Sequence, residues 1–297
     1  MRVVRLPDLE ERRERRVAIG TFDGVHVGHR EVIRGCDTVL TFDPHPLSVV
    51  RPEAAPKLLT PFSVKRDIIG GLGVEDLVVL PFDEERRSES AEEFVDEVLI
   101  DKLRAIEVSV GENFRFGKGA AGDVEMLRSR SEFTTRVAPL IEVDGEAVSS
   151  TRVRALVAAG EVEAAARMLG GPFIMEGEVA HGDKRGRALG VPTANLVPDE
   201  AYVHPGHGVY AAWAHGHAAA VNVGVRPQFQ TGRGLLVEAY LIGFDGDLYG
   251  ETLRIGFAKR LRGERRFESV DALVEQMKRD IVEAERVCAA ATVSPRP

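Results

Sequence analysis

Apolar positions in the first half of the chain fall into short runs separated by amphipathic stretches. Val17-Ala18-Ile19, Thr38-Val39-Leu40-Thr41-Phe42, Asp76 to Phe82, Glu107 to Gly111 and Arg136 to Val143 read as five strands. Between them lie segments with helical spacing. These are Arg30 to Arg34, a helix tail at Asp67-Ile68-Ile69 stopped by Gly70-Gly71, Ala91 to Arg104 with Phe94, Val98, Leu99 and Leu103 on one face, and Asp123 to Arg130. Alternating strands and helices predict a Rossmann-like parallel sheet wound on both faces. Residues 23 to 37 barely clear the minimum for a parallel crossover, so the first helix must be short. The mixed charge run Glu10 to Arg16 reads as a solvated approach to the first strand.

The pattern changes after a helix at Val162 to Leu169, which ends at Gly170-Gly171-Pro172. From Phe173 to Phe257 helical spacing disappears. Short alternating runs (Ile174 to Val179, Val209 to Ala214, Ala218 to Val223, Val237 to Ile242) sit between glycine-rich turns, and Asp245-Gly246 carries a hairpin signal. This predicts an antiparallel barrel or sandwich. A helix from Ser269 to Val287, with Leu273, Met277 and Ile281 spaced for one buried stripe, follows it. The expected organisation is an α/β domain over 1–170 and an all-β domain with a C-terminal helix over 171–297.

Composition narrows the class. At 297 residues with 44% hydrophobic and 29% charged positions, the chain is long enough for two globular domains. A formal charge of -8 argues against a nucleic-acid partner. No run is long enough to cross a bilayer, and Met1 to Arg16 lacks the apolar core of a signal peptide. Cys36 and Cys288 lie far apart without metal-ligand or disulfide spacing, which points to a reduced cytoplasm.

The stretch Gly20-Thr21-Phe22-Asp23-Gly24-Val25-His26-Val27-Gly28-His29 joins the first strand to the first helix. A strand that breaks at glycines and restarts as a helix offers backbone N–H groups to an anion. His26 and His29, three apart at the helix head, can face one point. A random His-x-x-His is more often plain surface, and a metal pair lacks its third ligand here. The package of strand, glycine turn, Asp23 and both imidazoles nevertheless resembles the His-x-Gly-His signature of the nucleotidyltransferase superfamily. Val148-Ser149-Ser150-Thr151-Arg152-Val153-Arg154 reads alone as a helix cap with arginines, but together with the histidine stretch it is similar to the second signature of that superfamily.

In the second half, Gly177 to Asn195 interleaves glycines with Lys184, Arg185 and Arg187, which suits a loop wrapping a polyphosphate; glycine and charge alone would suit a surface loop. The spacing is not that of a Walker loop. Thr193 and Asn195 are short oxygen donors of the kind that suit Mg²⁺. The stretch resembles the riboflavin kinase signature with its Pro-Thr-Ala-Asn element. Asn222 to Pro227, Val237-Glu238-Ala239-Tyr240, Asp245 to Gly250 and Leu261 to Phe267 follow in that family's order. From Val17 to Val287 the chain is similar to the bacterial bifunctional riboflavin kinase/FAD synthetases.

That resemblance implies two ATP-consuming reactions in series: riboflavin to FMN in the barrel, then FMN to FAD in the α/β domain. It implies His26, His29 and Arg154 as catalytic groups of adenylyl transfer, with Gly20, Phe22, Asp23, Gly28, Asn113, Asp123, Ser150 and Thr151 touching substrate. For the kinase it implies Glu238 as general base, though a carboxylate between Val237 and Ala239 on a strand also reads as solvent-facing. It further implies Thr193 and Asn195 on Mg²⁺, and Gly177, His181, Gly182, Lys184, Arg187, Asn222 and Arg226 on nucleotide or flavin. Two pieces, His29 to Thr38 and Arg128 to Arg136, are shorter than the family's usual length, and Gln228 stands where threonine is common. A chain with only kinase activity, or a flavin-binding regulator, are the alternatives.

Overall fold

The computed structural model describes residues 1–181, 191–225 and 234–290. They form two compact units, Met1–Lys57 with Phe62–Ser149, and Leu58–Pro61 with Ser150–Pro297. The helices Ser150–Ala159 and Val162–Leu169, which the hydrophobic pattern assigns to the amino-terminal domain, group with the barrel.

The first unit holds a parallel sheet of six strands, one more than the sequence predicts. They are β1 (Arg2–Arg5), β2 (Arg15–Ile19), β3 (Thr38–Asp43), β4 (Asp76–Pro81), β5 (Ala105–Gly111) and β6 (Thr134–Ala138), in the order β1-β4-β3-β2-β5-β6. The chain winds outward from β2 through β3 to β4, then jumps back to set β5 on the other side of β2. The switch point of the topology therefore lies between β2 and β5, and ligands collect at the carboxyl ends there. The glycine turn after β2 and the segment after β5 both emerge at that place. One apolar cluster, with Val17, Leu40, Val98, Leu99 and Val108, covers one face of the sheet. Another, with Ala18, Phe22, Ile33, Val39 and Leu77, covers the other.

Three expectations need correction here. β6 stops at Ala138 because Pro139 brings no N–H to the ladder; Glu142–Val143 instead forms β7, hairpinned to β8 (Glu146–Ala147). The segment Ala91 to Arg104 is α-helical only over Ala91–Glu93, behind a Ser90/Glu93 capping box, and continues as π-helical turns over Phe94–Lys102. Its predicted apolar face is fully buried all the same. The charge run before β2 is not solvated throughout. Arg15 is 0% exposed, and its guanidinium donates to the carbonyls of Glu11, Arg13 and Leu103.

Arg15 belongs to a charge cluster at the amino-terminal edge of the sheet, centred on Asp76. Arg2 pairs with this carboxylate through Nε at 2.9 Å and Arg13 through a terminal nitrogen at 3.2 Å. Burial pushes the Asp76 carboxyl up, but bonding and charge from Arg2 and then Arg13 outweigh it and hold the group below its usual range. A carboxylate with a depressed folded pKa stabilises the fold above its unfolded value and loses that contribution as pH falls through the folded one. Asp76→Asn is therefore expected to lower the thermal midpoint on the order of 5 °C at pH 7. The gap to the parent chain closes as pH drops below about 4. Thermal melts at pH 7 and pH 3 measure it; an equal gap at both would overturn the charge argument.

The second unit is a closed barrel of β9 (Phe173–Ala180), β10 (Ala194–Pro198), β11 (Gly208–Ala214), β12 (His217–Val225), β13 (Leu235–Leu241) and β14 (Thr252–Arg262). The strand order around it is β10-β13-β12-β11-β14-β9. β13 and β14 are not neighbours, so Asp245-Gly246 sits in a crossing connection and makes no hairpin. The tight turn belongs to His215-Gly216 between β11 and β12, both residues at positive φ (49° and 77°). The C-terminal helix, Val270–Ala290, lays Ala284, Val287 and Cys288 on Ala211, Trp213, Ala218 and Ala220 of the barrel's outer face. Arg262 clamps Asp280 of that helix with three bonds of 2.8, 3.0 and 3.2 Å, and Gln276 supports it. Leu58, from a loop of the first half, bridges to Tyr202 and completes this unit.

Candidate functional sites

In the first unit the chain leaves β2 through Gly20 and enters the helix Val27–Ile33 at His26, its N-cap. The helix has seven residues, as short as the sparse spacing requires. Its C-terminal end is secured from outside. Arg136 donates to the carbonyls of Glu31 (3.2 Å) and Val32 (2.9 Å) and also to that of Arg34, and Ser109 Oγ donates to Val32 at 2.6 Å. Val32 and Ile33 are buried beneath it. The shortened stretch after His29 thus keeps a capped, packed helix.

His26 Nδ1 accepts the backbone N–H of His29 at 3.2 Å, which leaves the ring's proton on Nε2. The two imidazoles lie nearly parallel, with centroids 3.5 Å apart and planes at 15°. Gly20 and Gly28 make room: a Cβ on Gly28 would lie 3.3 Å from the His26 ring, and one on Gly20 would meet the Phe22 ring at 3.0 Å. Phe22, expected to touch substrate, packs beneath the site. Its ring is 1% exposed in the core and meets His29 edge-on at 5.4 Å, so it supports the histidine from below. Asp23 is buried at 2% exposed.

The remaining candidates of this half fall on other elements. Asn113 is exposed just after β5. Asp123 caps the helix Val124–Arg128 by accepting from Met126 N–H at 3.0 Å and pairs with Arg115 at 2.8 Å. Those bonds hold its carboxyl below the usual range, the Met126 N–H contributing most. Ser150, Thr151 and Arg154 open the helix Ser150–Ala159 of the second unit.

Strand register assembles the second candidate site. Glu238 on β13 stands directly opposite Asn195 on β10 and directly opposite Asn222 on β12. Directly opposed residues on antiparallel strands keep their Cβ atoms roughly 5 Å apart on one face. Val237 and Ala239, both 0% exposed, point into the barrel, so Glu238 and its two asparagines share the outer face. Ala218 and Ala220 of the same face lie under the C-terminal helix, and Asn222 is the next in that row. Asn195 is 8% exposed, and Thr193 lies two positions before it. This is a carboxylate beside amide oxygens, a hard-oxygen set of the type Mg²⁺ accepts together with phosphate. Among the described residues there is no separate cluster of three or more His, Cys, Asp or Glu able to hold a metal.

His181, exposed just past the end of β9, packs against Tyr249 with ring centroids 4.0 Å apart and planes tilted by 35°. Gly177 has a structural reason to be glycine: a Cβ there would meet the Val197 carbonyl oxygen of the paired β10 at 2.9 Å. Gly182, Lys184, Arg187 and Arg226, with Gln228, lie outside the described residues.

A buried lysine beside the glycine turn carries no signal in the sequence. Lys65, on the helix Phe62–Gly70, is 9% exposed and donates from Nζ to the Thr21 carbonyl at 2.9 Å.

Comparison with known proteins places two family models on the chain, FAD synthetase over residues 8–152 and riboflavin kinase over 169–288. A bifunctional riboflavin kinase/FMN adenylyltransferase from Pseudomonas fluorescens is 36% identical over 288 residues, covering 91% of this chain and 92% of the relative. Its counterpart from Bacillus subtilis (strain 168) is 36% identical over 297 residues, covering 93% of each. A solved chain from Streptococcus pneumoniae, described as a macrolide-efflux protein, superposes with a TM-score of 0.85 at 30% identity over 96% of this chain and 98% of that one. No described helix here is long and apolar enough to cross a membrane.

Proposed function

The chain belongs to the bifunctional riboflavin kinase/FMN adenylyltransferase family, and from that premise we propose how its own residues divide the two reactions. It phosphorylates riboflavin with ATP to FMN and adenylylates FMN with a second ATP to FAD. We assign adenylyl transfer to 1–170 and the kinase to 171–297.

In the kinase, Glu238 takes the proton of the riboflavin 5′-hydroxyl as that oxygen attacks the γ-phosphorus, and ADP leaves. Asn195 and Thr193 are the residues that would hold Mg²⁺, which when bound neutralises charge on the phosphate oxygens. Asn222 keeps the opposite side of Glu238 polar. Gly177, His181, Gly182, Lys184, Arg187 and Arg226 complete the binding set by family resemblance.

In adenylyl transfer, a phosphate oxygen of FMN attacks the α-phosphorus of ATP and pyrophosphate leaves. His26 and His29 donate to the phosphate oxygens as charge develops, so catalysis is positioning plus electrostatics without a covalent enzyme intermediate. Arg154, Ser150 and Thr151 join this set by resemblance to the second superfamily signature, as do Gly20, Asp23, Gly28, Asn113 and Asp123. The buried, free cysteines fit a reduced cytoplasmic setting, and the charge of -8 fits a protein without nucleic-acid partners.

The observation that carries the reading is the Asn195–Glu238–Asn222 row. It sets a carboxylate and oxygen donors side by side from three separate strands, which a flavin-binding regulator does not need. Incubating the protein with riboflavin, ATP and Mg²⁺ and separating the flavins by chromatography tests it. FAD is the expected product. FMN alone would remove the adenylyltransferase; unchanged riboflavin would remove the kinase, and FMN supplied directly would then decide the second activity.

A further inference from the structure

Two carbonyls flank the glycine turn, and each accepts a hydrogen bond from a cation. Lys65 Nζ donates to Thr21 O at 2.9 Å, and Arg30 Nε donates to Val25 O at 3.2 Å. Between these anchors Phe22, Gly24 and Val25 all take positive φ, at 49°, 89° and 42°. A β-branched residue such as Val25 in that region is strained, so its surroundings must hold it there. The turn leads directly into His26.

Lys65 does more than satisfy a carbonyl. Thr41 Oγ1 already donates to Thr21 O at 3.2 Å. A neutral side chain would add a second bond without the desolvation that a buried ammonium suffers. Burial lowers the Lys65 pKa on balance, and the carboxylates of Asp23 and Asp43 oppose that shift and favour the charged form. Asp23 is itself buried in the turn, and Asp43 ends β3 beside it. Two acids beside a turn that receives ATP would repel the triphosphate unless a cation offsets them.

We propose that Lys65 is a positioning residue for adenylyl transfer. Its ammonium fixes the Thr21 carbonyl and offsets Asp23 and Asp43, so that the turn carrying His26 accepts an anionic triphosphate. Arg30 holds the other end of the turn. The proposal rests on the adenylyltransferase reading and adds a residue to it.

Lys65→Met and Lys65→Arg test it with two readouts, FAD formation from FMN and ATP, and hydrogen exchange at the amides of Phe22 to Val25. Riboflavin phosphorylation by the same chain reports folding of the other unit. In Lys65→Met, kcat/KM for ATP in adenylyl transfer is expected to fall about 100-fold, with exchange in the turn accelerated and phosphorylation unchanged. Lys65→Arg, which keeps the charge, recovers most of the activity and the protection. A Lys65→Met chain with parental kcat/KM overturns the proposal. So does a folded Lys65→Arg chain as impaired as Lys65→Met. If Lys65→Met does not accumulate folded, Lys65→Gln keeps a donor and removes the charge, and full activity there overturns the role of charge. If the parent chain makes no FAD, the adenylyltransferase reading fails, while the exchange comparison still decides whether Lys65 holds the turn.

Discussion

A His29→Ala chain is expected to accumulate FMN and stop there. The substitution removes one imidazole and little else. The bond that fixes His26 comes from the backbone N–H of residue 29, which alanine retains, so His26 keeps its orientation. Lost are the stacked partner 3.5 Å from His26 and the edge contact with Phe22. Removing one well-placed donor from a phosphate-stabilising site costs roughly 10²–10³ in rate. FAD formation from supplied FMN is expected to drop by about that factor. Riboflavin phosphorylation stays at the parental rate, because Glu238, Asn195 and Asn222 belong to a different compact unit. Following riboflavin, FMN and FAD over time in one reaction separates the two steps. Loss of both activities in a folded variant would contradict the division of labour, and undiminished FAD formation would remove His29 from the site. His29→Gln, which restores a donor without the ring, is expected to recover part of the loss.

The sequence carries the local elements well because their signals are local. The strand, glycine turn and helix around His26 follow from apolar runs and glycines within about fifteen positions, and the short crossover follows from chain length alone. Edge and long-range features are another matter. β1 reads as nothing because three of its four residues are exposed, which erases both periodicities. Arg15 reads as solvated because its charge run looks polar, while what buries it, carbonyls of Glu11 and Arg13 folded back on it and that of Leu103 from far along the chain, shows only in the folded chain. Asp245-Gly246 satisfies a hairpin rule, yet the barrel pairs β13 with β10 and β12 instead, and only the closed sheet reveals that.

The two sites differ in the same way. His26 and His29 are legible as a motif because their spacing along one helix brings them together. The row of Asn195, Glu238 and Asn222 spans 44 positions and depends on register, so family order places those residues while geometry explains them. Lys65 left no signal of its own. A lysine followed by Arg66 and Asp67 in a helix reads as a solvated face, and its burial shows only once β2, β3 and that helix are packed. The segment after His29, shorter than the family's usual length, is secured by Arg136 and Ser109 from two other strands.

Glu238→Gln is the complementary experiment and carries the other large effect. Glutamine keeps the size of the side chain and a place in the row between Asn195 and Asn222, so the barrel is expected to fold with its melting temperature unchanged. What disappears is the group that accepts a proton. General bases of this kind contribute typically 10²–10⁴-fold, and riboflavin phosphorylation is expected to slow by about that factor. Because the loss is in the proton transfer, kcat falls while KM for ATP stays close to parental. The rise of rate with pH on the acid side, where a carboxylate base becomes ionised, disappears with it. FMN supplied from outside is still converted to FAD, since no part of the His26 site changes. If Glu238 were only a solvent-facing strand residue, its amide would phosphorylate riboflavin as fast as the parent with the same pH profile. That outcome would leave the row of three strands without its chemistry.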